Sequence, residues 1–431
     1  MKKVMKYIAV LLASVALAGC SEDGLETNDV SAPIILNRFY PTSGGAGTEV
    51  VLTGENFSEH AEEISVRVGN HDLKVIGSDM NNIVVMIPRS MGSGRFEVSI
   101  AGREPVRTLQ RFTYAFSGAV TTLAGNGEAG DMNGIGSAAQ FHFDDADQGG
   151  WRKGSIGVGP DGSVFVIDIV NDNLKKITPE GEVSTFVARC TGGDENRAYA
   201  MDVDDEGNVW FATMSGWAIY KVTPDGTSTY VGQSPCQPWY MDVDSRNDRI
   251  FFVHQADNSP SPLFEYTIST QESRQIATET IYSAVAVAPD GSALYASNIV
   301  SHCIDRLPRT GDGWGPAERF AGSGMRGFAD GTFDTAQFSM PRGLAFSPSG
   351  DLFVAGNGEW GGVANADQAV RRLSMVDREV LTVAGSGMAG YVDSFGAAAA
   401  FSGVMDLAID RDGVIYIFDK KNNAVRKIVY E

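Results

Sequence analysis

Apolar residues between positions 32 and 115 come in runs of five or six that are bounded by Gly, Asn and Pro. Three of these runs are clear, at residues 49–53, 83–87 and 95–100. Short apolar runs with turn-forming residues at their ends are typical of β-strands. No segment with a helical period interrupts them. The pattern predicts an all-β domain for residues 32–115.

From residue 119 onward the pattern repeats. A turn followed by a short aromatic-rich run occurs six times, at residues 161–166, 206–211, 248–252, 290–295, 350–354 and 412–417. Each copy follows a run of small residues such as 284–287 and precedes a third run such as 174–177, and four copies continue into a fourth run such as 181–187. Four antiparallel strands that recur every 40 to 60 residues predict the blades of a β-propeller.

The sixth repeat ends at Glu431 without a fourth run, whereas an unmatched run at residues 120–125 precedes the first repeat. This run matches residues 381–385, which form the fourth run of the fifth repeat. We therefore expect the N-terminal run to complete the sixth blade. Closing the ring in this way removes the unpaired edge that an open sheet would expose.

A second string identifies the kind of propeller. It occurs at residues 321–345, with shorter copies that begin at Gly125 and Gly385. The string resembles the NHL repeat, and the resemblance implies a six-bladed NHL-type β-propeller over residues 119–431. The copy at Gly125 departs from the repeat after Phe141. All three copies also match G-x-G-x-x-G, but no helix follows them to bind a phosphate, so we interpret their glycines as tight turns.

Residues 41–48 and 51–57 resemble the opening of an IPT/TIG domain, an immunoglobulin-like sandwich. The resemblance covers residues 32–115 and implies a spacer module. This segment contains neither Cys nor Trp, so it lacks the disulfide and the tryptophan of antibody-type domains.

The first twenty residues have the layout of a secretory signal: three lysines, an apolar stretch at residues 7–16, and small residues before Cys20. Residues 17–20 resemble the lipobox of bacterial lipoproteins, which implies cleavage and acylation of Cys20 with chains such as palmitate. Residues 21–24 resemble the export tag of surface lipoproteins in glycan-scavenging Gram-negative bacteria. Residues 21–31 are predicted to be a flexible tether of up to roughly 35 Å. We expect an outer-membrane protein that faces the cell surface, although an inward-facing anchor stays open.

The formal net charge of −20 becomes −23 when the three signal lysines are removed. Such a charge argues against nucleic acid or an anionic membrane surface as a partner. Besides the acylated Cys20, three cysteines remain after processing, which excludes a dense disulfide framework. A bridge between Cys190 and Cys236, at similar places in consecutive repeats, is left open.

The aromatic residues suggest where a ligand would bind. In a propeller, the connections from strand two to strand three and from strand four to the next blade leave on one face. This rule places four of the six tryptophans on that face, with Trp314 opposite and Trp210 in a strand. Flat rings beside neutral amides are typical of sugar sites. The predicted ligand-binding residues are Trp151, Trp217, Trp239, Tyr240, Trp360, Asn298 and Asn357, with Asn171 in the same loops.

The leading hypothesis is a non-catalytic, cell-surface protein that binds glycan in a polysaccharide-uptake context, without cofactor or metal. One alternative is a scaffold for an outer-membrane protein partner. Another is a metal-dependent propeller enzyme of the lyase or lactonase type, for which His254 and His302 provide two ligands where a site needs more. Residues 202–207 hint at a calcium loop, but Thr213 stands where an EF-hand needs Glu, so we interpret them as a hairpin turn.

Overall fold

A computed structural model describes residues 29, 31–88, 91–114, 118–143, 154–191, 197–254, 260–277, 280–356 and 367–430. The chain divides into two compact units, Met1–Thr113 and Tyr114–Glu431. Within the described residues both units contain β-strands and short 3-10 helices and no α-helix, which confirms the all-β prediction. None of the helices in these ranges is long and apolar enough to cross a membrane.

The first unit is built from antiparallel strands that alternate buried and exposed residues. In β3, Val50 and Leu52 are buried between more exposed neighbours, and this alternation gives the sheet one apolar face. The sheet order is β1-β3-β6-β5-β4-β7-β8, and β2 pairs with β9 separately. The strands are β1 (Ile35–Tyr40), β2 (Ser43–Gly44), β3 (Glu49–Glu55), β4 (Ile64–Val68), β5 (His71–Ser78), β6 (Asn82–Met86), β7 (Phe96–Ile100), β8 (Val106–Arg107) and β9 (Thr113–Tyr114), with a 3-10 helix at Ala61–Glu63.

The second unit is a six-bladed β-propeller with four antiparallel strands in each blade. Blades one to three contain β12 (Ile156–Val158), β13 (Val164–Asp168), β14 (Asn173–Ile177) and β15 (Glu182–Val187); β16 (Ala198–Val203), β17 (Val209–Thr213), β18 (Ala218–Val222) and β19 (Ser228–Gln233); and β20 (Pro238–Asp244), β21 (Arg249–His254), β22 (Leu263–Thr267) and β23 (Ser273–Ala277). The first strand of each blade is innermost, because these strands contact one another around the ring.

Blades four to six follow the same plan. Their strands are β24 (Tyr282–Val287), β25 (Ala293–Asn298), β26 (Cys303–Thr310) and β28 (Glu318–Ala321); β30 (Pro341–Phe346), β31 (Leu352–Gly356), β32 (Gln368–Ser374) and β33 (Glu379–Gly387); and β34 (Val404–Ile409), β35 (Ile415–Asp419), β36 (Ala424–Tyr430) and β10 (Gly118–Ala124). Short additional strands are β11 (Gly134–Ile135), β27 (Gly313–Trp314) and β29 (Gly331–Thr332), and 3-10 helices lie at Gly136–Ala138, Ser245–Asn247, Gly396–Ala398 and Lys420–Asn422.

The N-terminal strand closes the ring, as the sequence predicts. β10 pairs antiparallel with β36, and Val120 lies opposite Ile428. Val120 and Ile428 are both buried in the core of the last two blades. The sixth blade is therefore complete only when strands from the two ends of the propeller pair.

The three NHL-like strings adopt one local structure. Their first glycines, Gly125, Gly322 and Gly385, have φ angles of 100°, 104° and 105°, which only glycine adopts readily. In each string a short parallel bridge then joins the turn to the phenylalanine that follows, such as Arg326 to Phe338. The strings are turns between blades, so the turn interpretation is confirmed.

A buried cation fixes each of these strings to its blade. In blade six, Arg426 donates to Asp393 of the string at 2.6 Å and to Asp419 at the end of β35 at 2.8 Å. Arg371 does the same in blade five, at 2.8 Å to Asp330. In blade one the cation is Lys175. The aspartates of the strings therefore contribute to folding.

Two open questions are settled by local contacts. Asp204 accepts hydrogen bonds from the backbone of Asn208 at 2.8 Å and from Trp210 Nε1 at 2.8 Å, which makes residues 202–207 a hairpin turn between β16 and β17. Cys190, Cys236 and Cys303 are free thiols, so Cys190 and Cys236 form no bridge.

Candidate functional site

The predicted binding face is the face of the propeller at which the second strand of each blade ends and its third strand begins. The innermost strand of the next blade begins at the same face. Cys20, Trp151, Asn357 and Trp360 lie outside the described residues. The other predicted residues are found at this face or just inside it.

Trp217 occupies the turn between β17 and β18 in blade two, with a φ of 55°. Its backbone oxygen accepts a hydrogen bond from Ser234 N at 2.7 Å, which fixes the turn. Trp217 is 40% exposed, which leaves a large apolar surface in water. Trp217 is therefore available to a ligand on this face.

Trp239 and Tyr240 lie within the innermost strand β20 and not in the loop that the strand pattern of the sequence predicts; that prediction is wrong for these two residues. Trp239 is buried and packs at 5.9 Å, ring centre to ring centre, against Tyr199 of blade two. Tyr240 is also buried, and its hydroxyl donates to Leu344 O in blade five at 3.1 Å. Tyr240 thus spans from blade three to blade five.

The two amides also have partners within the protein. Asn298, at the end of β25, is buried; its Nδ2 donates to Asp305 at 2.8 Å and its Oδ1 accepts from Thr280 at 3.0 Å. Asn171 donates to Asp168 and to Gly130 O, both at 2.8 Å. Both amides hold the ends of strands in place.

A depression opens where blades three, four and five meet. It encloses about 210 Å³ including its open mouth, and its narrow inner part of about 10 Å³ would hold one water molecule. Trp239, Ile281 and Ile299 provide apolar surface, and the other described lining residues are His254, Ser261, Tyr282 and Arg342. Arg342 is 2% exposed and Ser261 is 1% exposed. Aromatic surface thus lies beside hydrogen-bond donors.

Three carboxylates lie on innermost strands: Asp406 is buried, and Asp202 and Asp242 are half-buried. Asp202, Asp242 and Asp406 each accept a hydrogen bond from a backbone N–H of the next blade's innermost strand, at 2.7, 3.0 and 3.4 Å. Burial, and then mutual repulsion, raises the pKa of Asp202. Burial raises the pKa of Asp242 as well. Burial and the three carboxylates together raise the pKa of Tyr240. These groups join neighbouring blades around Tyr240.

The histidines considered as metal ligands have different surroundings. His254 lines the depression, whereas His302 Nδ1 accepts a hydrogen bond from Met340 N at 3.3 Å. Burial, and then the positive charge of Arg326, lowers the pKa of His302. In the described part of the chain, no three His, Cys, Asp or Glu side chains come together as metal ligands would.

Ser261, Tyr282 and Arg342 were not predicted as site residues. Arg342 belongs to the NHL-like string at residues 321–345, where it was counted as part of the repeat. Its position at the start of β30, an innermost strand, was the available signal.

Comparisons with known proteins support the fold. A sequence family described as the IPT/TIG domain matches residues 33–114. A search of curated protein sequences finds no match. A structural genomics protein of unknown function from Bacteroides thetaiotaomicron is 21% identical, with a TM-score of 0.60, and the alignment covers 94% of this chain and 100% of that one.

Two further solved structures have names that mention binding. Auxiliary nutrient binding proteins from Bacteroides thetaiotaomicron and Bacteroides ovatus are 19% and 18% identical, with TM-scores of 0.56 and 0.55. The alignments cover 94% of this chain in both cases, and 99% and 100% of those chains. Identities this low show a shared fold alone. The chain is an all-β protein in which an IPT/TIG domain precedes a six-bladed β-propeller.

Proposed function

We propose that this chain is a non-catalytic binding lipoprotein of the cell surface that captures glycan with one face of its propeller. The observation that carries the proposal is the depression between blades three, four and five. It combines the indole of Trp239 with the side chains of Ser261, His254 and Arg342. A sugar presents an apolar ring face and a rim of hydroxyl groups, and such a pocket matches both.

The exposed indole of Trp217 on the same face supports a binding role, because it offers a second flat surface to an extended ligand.

The names of two similar structures agree with capture of a nutrient, since both are called auxiliary nutrient binding proteins. The glycan part of the proposal rests on the aromatic and polar lining. The acidic segment after Cys20 adds to it through its resemblance to export tags of glycan-scavenging bacteria.

The proposed anchor is an acylated Cys20 at the end of a flexible tether in the outer membrane. Metabolic labelling with a palmitate analogue tests it, with a Cys20→Ala variant as the control. We expect label in the native protein alone. Loss of the propeller upon protease treatment of intact cells would then support outward orientation, and full protection would contradict it.

Binding of purified protein to a panel of neutral and acidic polysaccharides tests the ligand class. We expect Trp217→Ala to weaken binding about tenfold, because truncating an aromatic contact at a binding surface costs about 1–2 kcal/mol. Trp314→Ala is the matched control, since Trp314 lies in the β26–β27 hairpin on the opposite face. Absence of binding to every polysaccharide would refute the glycan proposal.

A protein partner is the second candidate, because the strings of blades five and six expose large apolar side chains. Met325, Met388 and Phe395 are each more than half exposed. Exposed apolar groups of this kind are common at protein interfaces. Co-purification of an outer-membrane protein that is lost in a Met325→Ser/Met388→Ser/Phe395→Ser variant would favour this role over glycan capture.

A further inference from the structure

The depression differs in charge from the protein around it. The chain carries a formal net charge of −20. Among the described residues that line the depression, Arg342 is the one that carries a permanent charge, and none is a carboxylate. Asp305 accepts a hydrogen bond from the hydroxyl of Tyr282 at 3.3 Å. Locally, the depression therefore favours an anion.

The backbone that carries Arg342 is held by three hydroxyl groups from other blades. Ser283 donates to Pro341 O at 2.6 Å, Ser297 donates to Arg342 O at 2.6 Å, and Tyr240 donates to Leu344 O at 3.1 Å. A guanidinium on so rigid a segment loses little freedom when it binds a partner. This preorganisation is what a specific charge contact requires.

Ser261 provides an independent observation. Its backbone N–H donates to Thr280 O at 2.8 Å, but its Oγ has no hydrogen-bond partner among the described residues. The side chain is 1% exposed and lines the depression. A buried hydroxyl without a partner costs free energy, about 1–3 kcal/mol. A ligand atom in the depression would remove that cost.

We propose that the depression binds the carboxylate group of an acidic sugar of the uronic acid class, which rests on the glycan-binding function proposed above. Arg342 pairs with the carboxylate, Ser261 donates a hydrogen bond to it, and Trp239 packs against the sugar ring. The planar guanidinium matches the two oxygens of a carboxylate.

The test uses the full mature chain and oligosaccharides of galacturonate, glucuronate and mannuronate. Each is paired with its carboxyl-reduced counterpart, which keeps the ring and loses the charge. We expect at least one acidic oligosaccharide to bind ten or more times tighter than its reduced form. Arg342→Gln should abolish that preference, with binding weakened about 10- to 100-fold, the range for a hydrogen bond to a charged group.

Ser261→Ala guards against misfolding of the arginine variant. Removing a buried hydroxyl that has no partner should raise the melting temperature of the propeller or leave it no lower, while binding weakens about three- to tenfold. Ser301→Ala is the matched control, because Ser301 lies in the β25–β26 turn of the same face and does not line the depression. It should bind as the native protein does.

The outcomes separate this inference from the proposed function. Equal affinity for acidic and reduced oligosaccharides overturns the carboxylate assignment and leaves glycan binding intact. Binding of neutral polysaccharides without any acidic oligosaccharide has the same consequence. Tighter binding of a sulfated galactan than of any uronate also overturns it. Failure to bind any glycan overturns both proposals.

Discussion

Replacing Arg426 by methionine should destabilise the propeller more than the loss of an ordinary surface charge. Arg426 is fully buried in β36, the strand that pairs with β10 to close the ring. Its guanidinium donates to Asp419, to Ala400 O at 3.2 Å, and to Asp393. Asp393 in turn accepts a hydrogen bond from the backbone of Thr122 in β10 at 2.9 Å. One side chain therefore connects the string, the blade and the closing strand.

The expected loss follows from the group that is left behind. Asp419 is completely buried, and burial raises its pKa to about 6 even with Arg426 beside it. Removing one partner of a buried ion pair costs about 3–5 kcal/mol, because the remaining charge is uncompensated. We expect the free energy of unfolding to fall by that amount. Domains are commonly stable by only about 5–15 kcal/mol, so the change is large.

Denaturation followed by tryptophan fluorescence measures this loss. All six tryptophans lie after residue 119, so the signal reports the propeller and not the IPT/TIG domain. Lys427→Met is the matched control: the same strand loses the same charge from a partly exposed position. We expect this control to lose about 0.5 kcal/mol or less.

Asp419→Asn in the Arg426→Met background tests the physical cause. Removing the orphaned carboxylate should restore about 1 kcal/mol or more. Lowering the pH from 8 to 5 should also stabilise Arg426→Met relative to the native protein, because protonation neutralises Asp419. If Arg426→Met is no less stable than Lys427→Met, or if the second substitution restores nothing, the role of the buried pair is refuted.

Three further outcomes can be checked in the same way. Burial raises the pKa of Asp168 to about 6, so the folded state keeps a proton that the unfolded chain loses above about pH 4. The stability gained from this proton falls as pH rises through 6, so the stability of Asp168→Asn relative to the native protein should increase by up to about 3 kcal/mol between pH 4 and 8. A difference in stability that stays constant across this pH range would contradict the reasoning. Val120→Asp should destabilise the propeller by several kcal/mol, at least about 3, while Thr121→Asp on the exposed side of β10 should cost little in denaturant melts; equal effects would argue against ring closure by β10. A Cβ on Gly343 would lie 2.7 Å from the backbone of the neighbouring innermost strand, so Gly343→Ala should lower stability by about 1–3 kcal/mol, and Gly313→Ala, with no contact closer than 3.7 Å, serves as the control.

The functional experiments address different surfaces. Trp217 tests whether the proposed face binds glycan, and Arg342 with Ser261 tests which glycan the depression prefers. The substitutions in blade six change stability at residues that do not line the depression. A variant that loses binding and keeps its unfolding midpoint is therefore evidence about the site.

Much of the fold could be predicted because its signals are local. A short apolar run with turn residues beside it predicts each strand, and the six repeats predict the number of blades. Ring closure could be inferred too, because the sixth repeat lacks one strand and the unmatched run at residues 120–125 provides one strand more than the first repeat needs. The glycines of the strings could be identified as turn residues because no helix is predicted to follow them.

The site could be predicted only as a face. Sorting loops by blade placed Trp217 correctly, but it could not show that Tyr240 and Asn298 lie in strands and bond to groups within the protein. Burial of these side chains depends on neighbouring blades. The strand pattern of a single blade carries no information about such contacts.

The sequence by itself determined the local structure of each segment of the two folded units: strand, turn or repeat. Tertiary structure decided which segments meet. Arg342 lies more than 100 residues from Trp239, yet curvature of the ring brings both to one depression beside Ser261. Equivalent positions in the six blades have similar sequence patterns. Whether such a position lines a pocket or is fully buried depends on which side chains the neighbouring blades pack against it.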